Sequence, residues 1–230
     1  MTIKPHLNIL IGGAPRTGKS LLAASLFDTL HVPVIHGDTL VNAMKNGYPG
    51  SFGVQFDTLP PEDHAARMEP VQLFLKKAIR NMGKDISYRA KVFESCYLHP
   101  RTVAMLASEG AAISVFLLYG DFDVERRLKD VQAYAENNQH CWSHGYDEMS
   151  LRRSLIELKQ FSQFLRLECE QYGVNWVEIE NDWTTEWTKI RDALIDRVKV
   201  KLKQPERPSP FRGLSSLSTL SCPENQYHDR

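Results

Sequence analysis

Short apolar runs alternate along the chain with longer segments in which apolar residues recur every three or four positions. Continuous apolar runs are typical of parallel strands covered on both faces, and the three-to-four spacing is typical of helices. The predicted strands are 7–12, 32–35, 90–93, 112–119 and 174–179. The predicted helices are 20–30, 70–82, 99–107, 123–137, 146–172 and 183–203. The pattern therefore predicts a five-stranded α/β protein.

Strands that alternate with helices favour one parallel sheet with right-handed crossovers and helices on both faces, a three-layer arrangement. We expect residues 1–203 to form this domain. Residues 40–88 are too long for a simple crossover and are predicted to be an insertion over the strand ends. Residues 204–230 are rich in Pro, Ser and polar residues without periodicity, which predicts a disordered tail. Ligands of such sheets bind beyond the carboxyl ends of the strands.

Composition narrows the class of partner. Lys plus Arg and Asp plus Glu both total 28, so the net charge is zero, and a nucleic-acid partner is not expected.

The cysteines form no C-x-x-C pair and indicate reduced thiols: Cys96, Cys141, Cys169 and Cys222. No run approaches the roughly 20 apolar residues of a membrane span, and the first residues lack a signal-peptide core. We expect a cytoplasmic protein without a membrane partner.

The first predicted strand runs into the motif G-x-x-x-x-G-K-S, which opens the first predicted helix. A loop of this kind turns its backbone N–H groups toward a phosphate chain, and the helix N-terminus adds the positive end of its dipole. Lys19 is predicted to contact the β- and γ-phosphates, and the Ser20 hydroxyl to bind Mg²⁺. The predicted nucleotide-binding residues are Gly13, Ala14, Pro15, Arg16, Thr17, Gly18, Lys19, Ser20 and Leu21.

Two carboxylates follow strands at the same edge of the predicted sheet. Asp38 comes after the second strand, where a kinase needs a base to deprotonate a hydroxyl. The alternative is a helix-capping Asp. Glu94 ends the third strand, where a carboxylate can hold a Mg²⁺-bound water. Alternatively, Glu94 is a helix cap or a surface residue without a role in metal binding. The predicted metal site is thus Ser20 with Glu94 through water.

Arginines matter because positive charge stabilises phosphoryl transfer. Arg126 and Arg127 lie on the helix after the fourth strand, and Arg152 lies near the start of the next helix. We predict that residues 123–155 form a helical lid that closes over the nucleotide, so that these three arginines are candidate catalytic residues together with Lys19 and Asp38. Arg16 and Arg101 are further candidates.

A short polar loop contains His140, Cys141 and His144, which are residue types that bind zinc. A zinc site needs a fourth ligand at a suitable spacing, and the sequence offers none nearby. A polar loop is the favoured interpretation. Trp142 in this loop could stack on a base or pack under the lid.

Taken together, four segments resemble the small-molecule kinase branch of the phosphate-loop NTPases: 13–20, Gly37-Asp38, Phe93-Glu94, and the strand 115–119 followed by 121–128. That branch includes adenylate-kinase-like enzymes, zeta-toxin-type kinases, chloramphenicol phosphotransferase and the 2-phosphoglycerate-kinase-like group. The resemblance implies the strand order 2-3-1-4-5, ATP with Mg²⁺, and an acceptor selected by residues 40–88. The third strand ends in Glu rather than Asp, and the acceptor-binding arginines of adenylate kinases have no match.

The predicted function is therefore an ATP-dependent kinase that transfers the γ-phosphoryl group to a hydroxyl or acid of a small molecule. Two alternatives remain open at this point. One is a phosphate-loop ATPase or nucleotide switch that acts through a protein partner. The other is a polynucleotide 5′-kinase, which requires a basic cleft that carries aromatic residues, and the balanced charge argues against it.

Overall fold

The structure, a computed structural model, describes residues 7–48, 50–53, 62–84, 88–110, 112–137, 141–179 and 183–203. The strands are β1 (Leu7–Gly13), β2 (Val34–His36), β3 (Ala90–Glu94), β4 (Ala112–Leu118) and β5 (Trp176–Glu178). The helices are α1 (Lys19–Leu30), α2 (Gly37–Gly47), α3 (His64–Lys84), α4 (Pro100–Glu109), α5 (Val124–Glu136), α6 (Glu148–Tyr172) and α7 (Trp183–Lys203). The predicted tail, 204–230, lies outside the described residues.

The strands form one parallel sheet in the order β2-β3-β1-β4-β5. The predicted fold class and strand order are confirmed. In the sheet register, Ile11 pairs with Glu94, and Glu94 pairs in turn with His36. The edge strands β2 and β5 are shorter than predicted. Since each has one neighbour, its length is limited to the three residues that pair with β3 or β4.

Alternate side chains of the central strands enter two separate cores. Ile9 and Ile11 of β1 pack in the core that contains α1 and α7. Leu10 of the same strand packs in the opposite core, which α3, α4 and α6 complete. Both faces of the sheet are therefore covered by helices, which leaves the carboxyl ends of the strands as the open edge where a ligand can bind.

Helix α3 begins at His64, six residues before the predicted start at Pro70. Proline is favoured in the first turn of a helix and costs stability in its interior, so the sequence pattern pointed to Pro70 as the start. The actual start is signalled by Asp63, whose Oδ1 accepts a hydrogen bond from the Ala66 N–H at 2.9 Å. The extra turns place His64 and Arg67 beside the phosphate-loop end of the sheet.

Helix α5 and the first turns of α6 share a small core of their own. Leu128 and Val131 pack there against Leu151 and Leu155. This pair of helices occupies much of the predicted lid, 123–155. The movement of this pair as a lid stays a prediction.

Among the helices of the described ranges, none combines sufficient length with sufficient hydropathy to cross a bilayer.

Candidate active site

The loop between β1 and α1 has a backbone that few residues tolerate. Gly13 has a φ of 123°, Arg16 a φ of 66° and Gly18 a φ of 88°. Gly18 is the N-cap of α1, which has neither a side-chain cap nor an acidic residue in its first turn. The first N–H groups of α1 therefore receive no carboxylate from their own turn, and the helix dipole favours an anion at this position.

Two side chains of the loop donate hydrogen bonds to the same backbone carbonyl within it, that of Ala14. Ala14 O accepts a hydrogen bond from Thr17 Oγ1 at 2.8 Å and from Lys19 Nζ at 2.7 Å. Ala14 is itself anchored, because its N–H donates to Leu117 O at 3.2 Å. Lys19 is buried, with 6% of its surface exposed. The ammonium group thus lies within the loop, where a backbone carbonyl holds it.

We predict that Gly13→Ala disrupts this loop. A Cβ at Gly13 would lie 2.1 Å from Leu117 O, and its φ of 123° is strained for alanine. The expected cost is about 2 to 4 kcal/mol of unfolding free energy, measured by urea denaturation. Gly47→Ala is the control, because a Cβ there meets nothing within 4 Å. Equal unfolding free energies for the two variants would contradict the prediction.

Glu94 and Ser20 meet at the end of β3. Ser20 Oγ donates to Glu94 Oε1 at 3.3 Å, and His36 Nδ1 lies 2.6 Å from the same oxygen. Glu94 is 3% exposed, and in the described part of the chain its Oε2 is a buried oxygen without a hydrogen-bond partner. A buried oxygen of this kind is costly unless something binds it. A hydroxyl beside a buried carboxylate fits a Mg²⁺ ion that also binds phosphates and water.

The described residues contain no group of three or more His, Cys, Asp or Glu side chains that could hold a metal ion. Mg²⁺ usually binds one or two protein side chains together with substrate phosphates. Ser20 and Glu94 would therefore need no third protein ligand. For the zinc alternative, His140 lies outside the described residues, and Cys141 Sγ lies 3.1 Å from Ser143 Oγ.

Asp38 lies in the first turn of α2, directly after β2. Its Oδ1 accepts hydrogen bonds from Ser95 Oγ at 2.6 Å and from the Cys96 N–H at 2.9 Å. The N-cap of α2 is His36, which has no side-chain cap bond, so Asp38 does not cap this helix. The two bonds to Oδ1 fix the carboxylate to the β3–α4 turn.

Two cavities flank the loop. The first, here called the loop cavity, has a volume of about 600 Å³, and its lining includes Gly18, Lys19, Ser20 and Leu21 together with Tyr119 and Arg127. The second, here called the aromatic cavity, has a volume of about 270 Å³. It is lined by Pro15, His64, Arg67, Met68, Cys96, Tyr97, Tyr146, Ser154, Glu157, Leu158 and Phe161. Arg16 and Trp142 line both cavities and separate them.

The predicted arginines fall into two groups: those that line a cavity beside the loop and those that do not. Arg127 reaches the loop cavity, where its guanidinium stacks 4.9 Å from the Tyr119 ring and donates to the Tyr119 hydroxyl at 3.2 Å. Arg16 stacks 4.8 Å from the Trp142 ring. These two contacts hold cations at the cavity walls.

Arg126 and Arg152 are not brought to the loop in this structure. The side chain of Arg126 is exposed and lines neither cavity. Arg152 is bound to the Glu125 carboxylate at 2.8 and 2.9 Å and to Glu148 at 3.1 Å. A catalytic role for Arg152 would require these ion pairs to break. Arg101, the further candidate, is likewise engaged by both oxygens of Glu69 at 2.6 Å.

The Cys96 thiol lines the aromatic cavity next to Asp38. Burial, followed by the Asp38 charge, raises the pKa of this thiol to about 12. We expect its alkylation rate to keep rising with pH between pH 8 and 10, because only the thiolate reacts. Site-resolved mass spectrometry after iodoacetamide pulses measures this rate. A plateau near pH 8.5 to 9, the range of an ordinary thiol, would contradict the prediction.

Sequence reasoning missed several members of the site. His36 was assigned no role, yet the parallel register of β2 and β3 pairs it with Glu94. Ser95, which holds Asp38 and also accepts the Tyr97 N–H at 3.0 Å, was also missed. The signal for both was their position at strand ends beside a predicted site residue. Trp142 was noted as a possible stacking residue, and the structure shows that its partner is Arg16.

Comparisons with known proteins were made for the sequence and for the fold. No family model and no curated protein matches the sequence. Solved structures that match include a shikimate kinase from Bacteroides thetaiotaomicron (14% identity, TM-score 0.43, 86% of this chain and 99% of that chain). A gluconokinase from Sinorhizobium meliloti 1021 also matches (18% identity, TM-score 0.41, 87% and 97%). A third match is an uncharacterized protein from Eubacterium ventriosum ATCC 27560 (18% identity, TM-score 0.47, 85% and 99%). What the structure of this chain itself shows is the parallel sheet in the order β2-β3-β1-β4-β5 that the resemblance implies.

Proposed function

We propose that this protein is an ATP-dependent kinase that transfers the γ-phosphoryl group to a small-molecule hydroxyl. The observation that carries the proposal is the second cavity, which lies across Arg16 and Trp142 from the cavity over the phosphate loop. A hydrolase needs only a water beside the nucleotide, and a switch needs an exposed surface. A second cavity beside the loop supports a two-substrate reaction.

The loop cavity is the proposed site of ATP. The α1 N-terminus and Lys19 would bind the phosphates by hydrogen bonds and charge. Ser20 and Glu94, whose side chains lie 3.3 Å apart, would hold Mg²⁺, with Glu94 acting through water. When bound, Mg²⁺ supplies positive charge that neutralises the phosphate oxygens.

Asp38 is the proposed general base. The Ser95 and Cys96 bonds to Oδ1 fix the carboxylate, and Oδ2 would accept the proton of the acceptor hydroxyl. Asp38 itself lines neither cavity, and Cys96, whose N–H anchors it, lines the aromatic cavity, which is the proposed acceptor site.

Positive charge would come from Arg16 and Arg127, which the structure holds at the cavity walls. Arg126 and Arg152 remain predictions that depend on lid closure. The α5–α6 unit with its own core would carry out that closure and exclude water from the phosphates.

The test is ADP release from Mg-ATP in the presence of pooled hydroxyl compounds, namely sugars, sugar acids, nucleosides, phosphoglycerates and aromatic alcohols. We expect ADP above background in one pool only, and not with Lys19→Ala as the blank. Equal ADP release in every pool, absent from the blank, would favour an ATPase or switch. Release that requires oligonucleotides and weakens steeply with salt would favour a polynucleotide kinase.

A further inference from the structure

We propose that His36 is a positioning residue for the candidate Mg²⁺ site: its imidazole N–H holds one oxygen of the Glu94 carboxylate, so that the other oxygen is directed to the metal's water. This inference rests on the proposed kinase function and adds a member to its metal site. Neither the spacing of the motifs nor the resemblance assigns a role to a histidine at the end of β2.

The two oxygens of Glu94 have unequal surroundings. Oε1 lies 2.6 Å from His36 Nδ1 and accepts a hydrogen bond from Ser20 Oγ at 3.3 Å. An ionised carboxylate can only accept hydrogen bonds, so Nδ1 carries the proton in this pair. Oε2 is buried and has no hydrogen-bond partner in the part of the chain that the structure describes. Two donors therefore hold one oxygen, and the other is left for a donor from a ligand.

A water molecule bound to Mg²⁺ is a donor of this kind. Mg²⁺ loses its water reluctantly and usually keeps several water molecules when it binds to a protein and to substrate phosphates. The Ser20 hydroxyl suits the same site, because it gives its hydrogen to Glu94 and keeps its lone pairs for a cation. A fixed Oε1 thus orients both side chains of the candidate metal site.

The close approach of β2 to β3 brings His36 to this carboxylate. The parallel register sets His36 opposite Glu94 at the carboxyl ends of the two strands. Gly37 follows directly, and a Cβ there would lie 2.8 Å from the Cβ of Ser95, so only a residue without a side chain fits. The residues on both sides of this glycine therefore reach β3 and its turn: His36 contacts Glu94, and Asp38 contacts Ser95.

The fold itself makes little use of the His36 side chain. Half of its side-chain surface is exposed, so its burial adds little hydrophobic stabilisation. Backbone pairing of all three β2 residues with β3 sets the strand register without the ring. Helix α2 does not use the ring either, because His36 is its N-cap and makes no side-chain cap bond. The bond that the structure gives to this imidazole is the one to Glu94.

Loss of the imidazole N–H would leave Oε1 of Glu94 with the longer of its two contacts, the one to Ser20. The carboxylate would then be free to rotate. Removing a group that orients a metal-binding side chain typically weakens metal binding about tenfold to a hundredfold. We therefore expect His36 to affect the affinity for the metal, and not the affinity for a nucleotide without metal.

Three substitutions separate the N–H donor from the ring. His36→Asn keeps an N–H on an atom attached to Cγ, as Nδ1 is, whereas His36→Gln moves the N–H one bond farther out. His36→Phe keeps a ring without a donor. The control is His31→Gln, at an exposed position on the far end of α1 from Ser20. Thermal unfolding confirms that each variant is folded.

The probe is Mn²⁺, titrated into the full chain saturated with ADP and followed by electron paramagnetic resonance, with ADP alone as the blank. We expect His36→Asn and His31→Gln to bind Mn²⁺ within about threefold of the wild-type affinity, and His36→Gln and His36→Phe to bind it about tenfold to a hundredfold more weakly. Calorimetry with ADP in EDTA should give equal affinities for all of them. The Mg²⁺ concentration that gives half-maximal ADP release should rise in His36→Gln and His36→Phe, while the rate at saturating Mg²⁺ is retained.

A double-mutant cycle tests whether His36 acts through Glu94. Glu94→Gln keeps the length of the side chain and an acceptor oxygen but removes the charge. In this background, His36→Gln should change the Mn²⁺ affinity by less than about twofold, because two residues of one hydrogen-bond network do not contribute additively. Equal effects of His36→Gln in the two backgrounds would show that His36 acts elsewhere, and would overturn the inference.

Unchanged Mn²⁺ affinity in His36→Gln, or equal losses in His36→Asn and His36→Gln, would also overturn the inference and leave the kinase proposal intact. A wild-type chain that binds no Mn²⁺ beyond the amount bound by ADP alone would contradict both. The expected order of Mn²⁺ affinities without any phosphoryl transfer would contradict the kinase and leave the role of His36 standing.

Discussion

Lys19→Ala is expected to lower the rate of acceptor-dependent ADP release by about a hundredfold to a thousandfold, the range found when one preorganised donor to a developing charge is removed. The Lys19 ammonium is buried in the loop, 2.7 Å from Ala14 O, so it needs only a short movement to meet the phosphates. A coupled assay for ADP measures the rate at saturating Mg-ATP.

The control is Lys77→Ala, which removes the same charge from an exposed position of α3. It should retain full activity. Because Lys19 also bonds to the loop, thermal unfolding must show that Lys19→Ala is folded. Turnover that survives in folded Lys19→Ala would show that this lysine does not stabilise the transferred group.

Asp38→Asn is expected to leave Mg-ADP affinity unchanged and to lower phosphoryl transfer by about a hundredfold to ten-thousandfold, the usual contribution of a general base. Asparagine keeps Oδ1, which can still accept the bonds from Ser95 and Cys96. It replaces Oδ2 with an amide that cannot take a proton. Rapid-quench single turnovers measure transfer, and calorimetry measures Mg-ADP binding.

Asp28→Asn on α1 is the matched control, because that carboxylate is exposed on a helix surface, whereas Asp38 is anchored to the β3–α4 turn. Asp38→Ala separates the two roles of this residue, since it removes the anchor as well as the base. Wild-type transfer in Asp38→Asn would exclude Asp38 as the base and leave it a structural role at the β3–α4 turn.

Features that depend on neighbouring residues could be predicted from the sequence. The Gly13–Ser20 loop has a fixed spacing, and Gly173 ends α6 in the left-handed conformation with a φ of 63°, as glycine does at this position. Helix α7 has the predicted bounds, Trp183–Lys203. These elements follow from local backbone preferences and from apolar periodicity.

Features that depend on contacts between distant segments could not be predicted. The aromatic cavity is assembled from α3, the β3–α4 turn, the loop before α6 and α6 itself, and no spacing in the sequence joins Tyr97 to Phe161. The fate of an arginine is also decided by its neighbours. Arg127 meets Tyr119, whereas Arg152 meets Glu125, 27 positions away along the chain.

The most direct test of the kinase proposal is the chemical fate of the γ-phosphoryl group, followed by ³¹P NMR with Mg-ATP and the acceptor pool that gives the largest ADP signal. We predict that a phosphoester resonance grows in step with ADP, and that both are absent with Lys19→Ala. Inorganic phosphate as the sole product, formed at the same rate without an acceptor, would contradict the proposal and establish a nucleotide hydrolase.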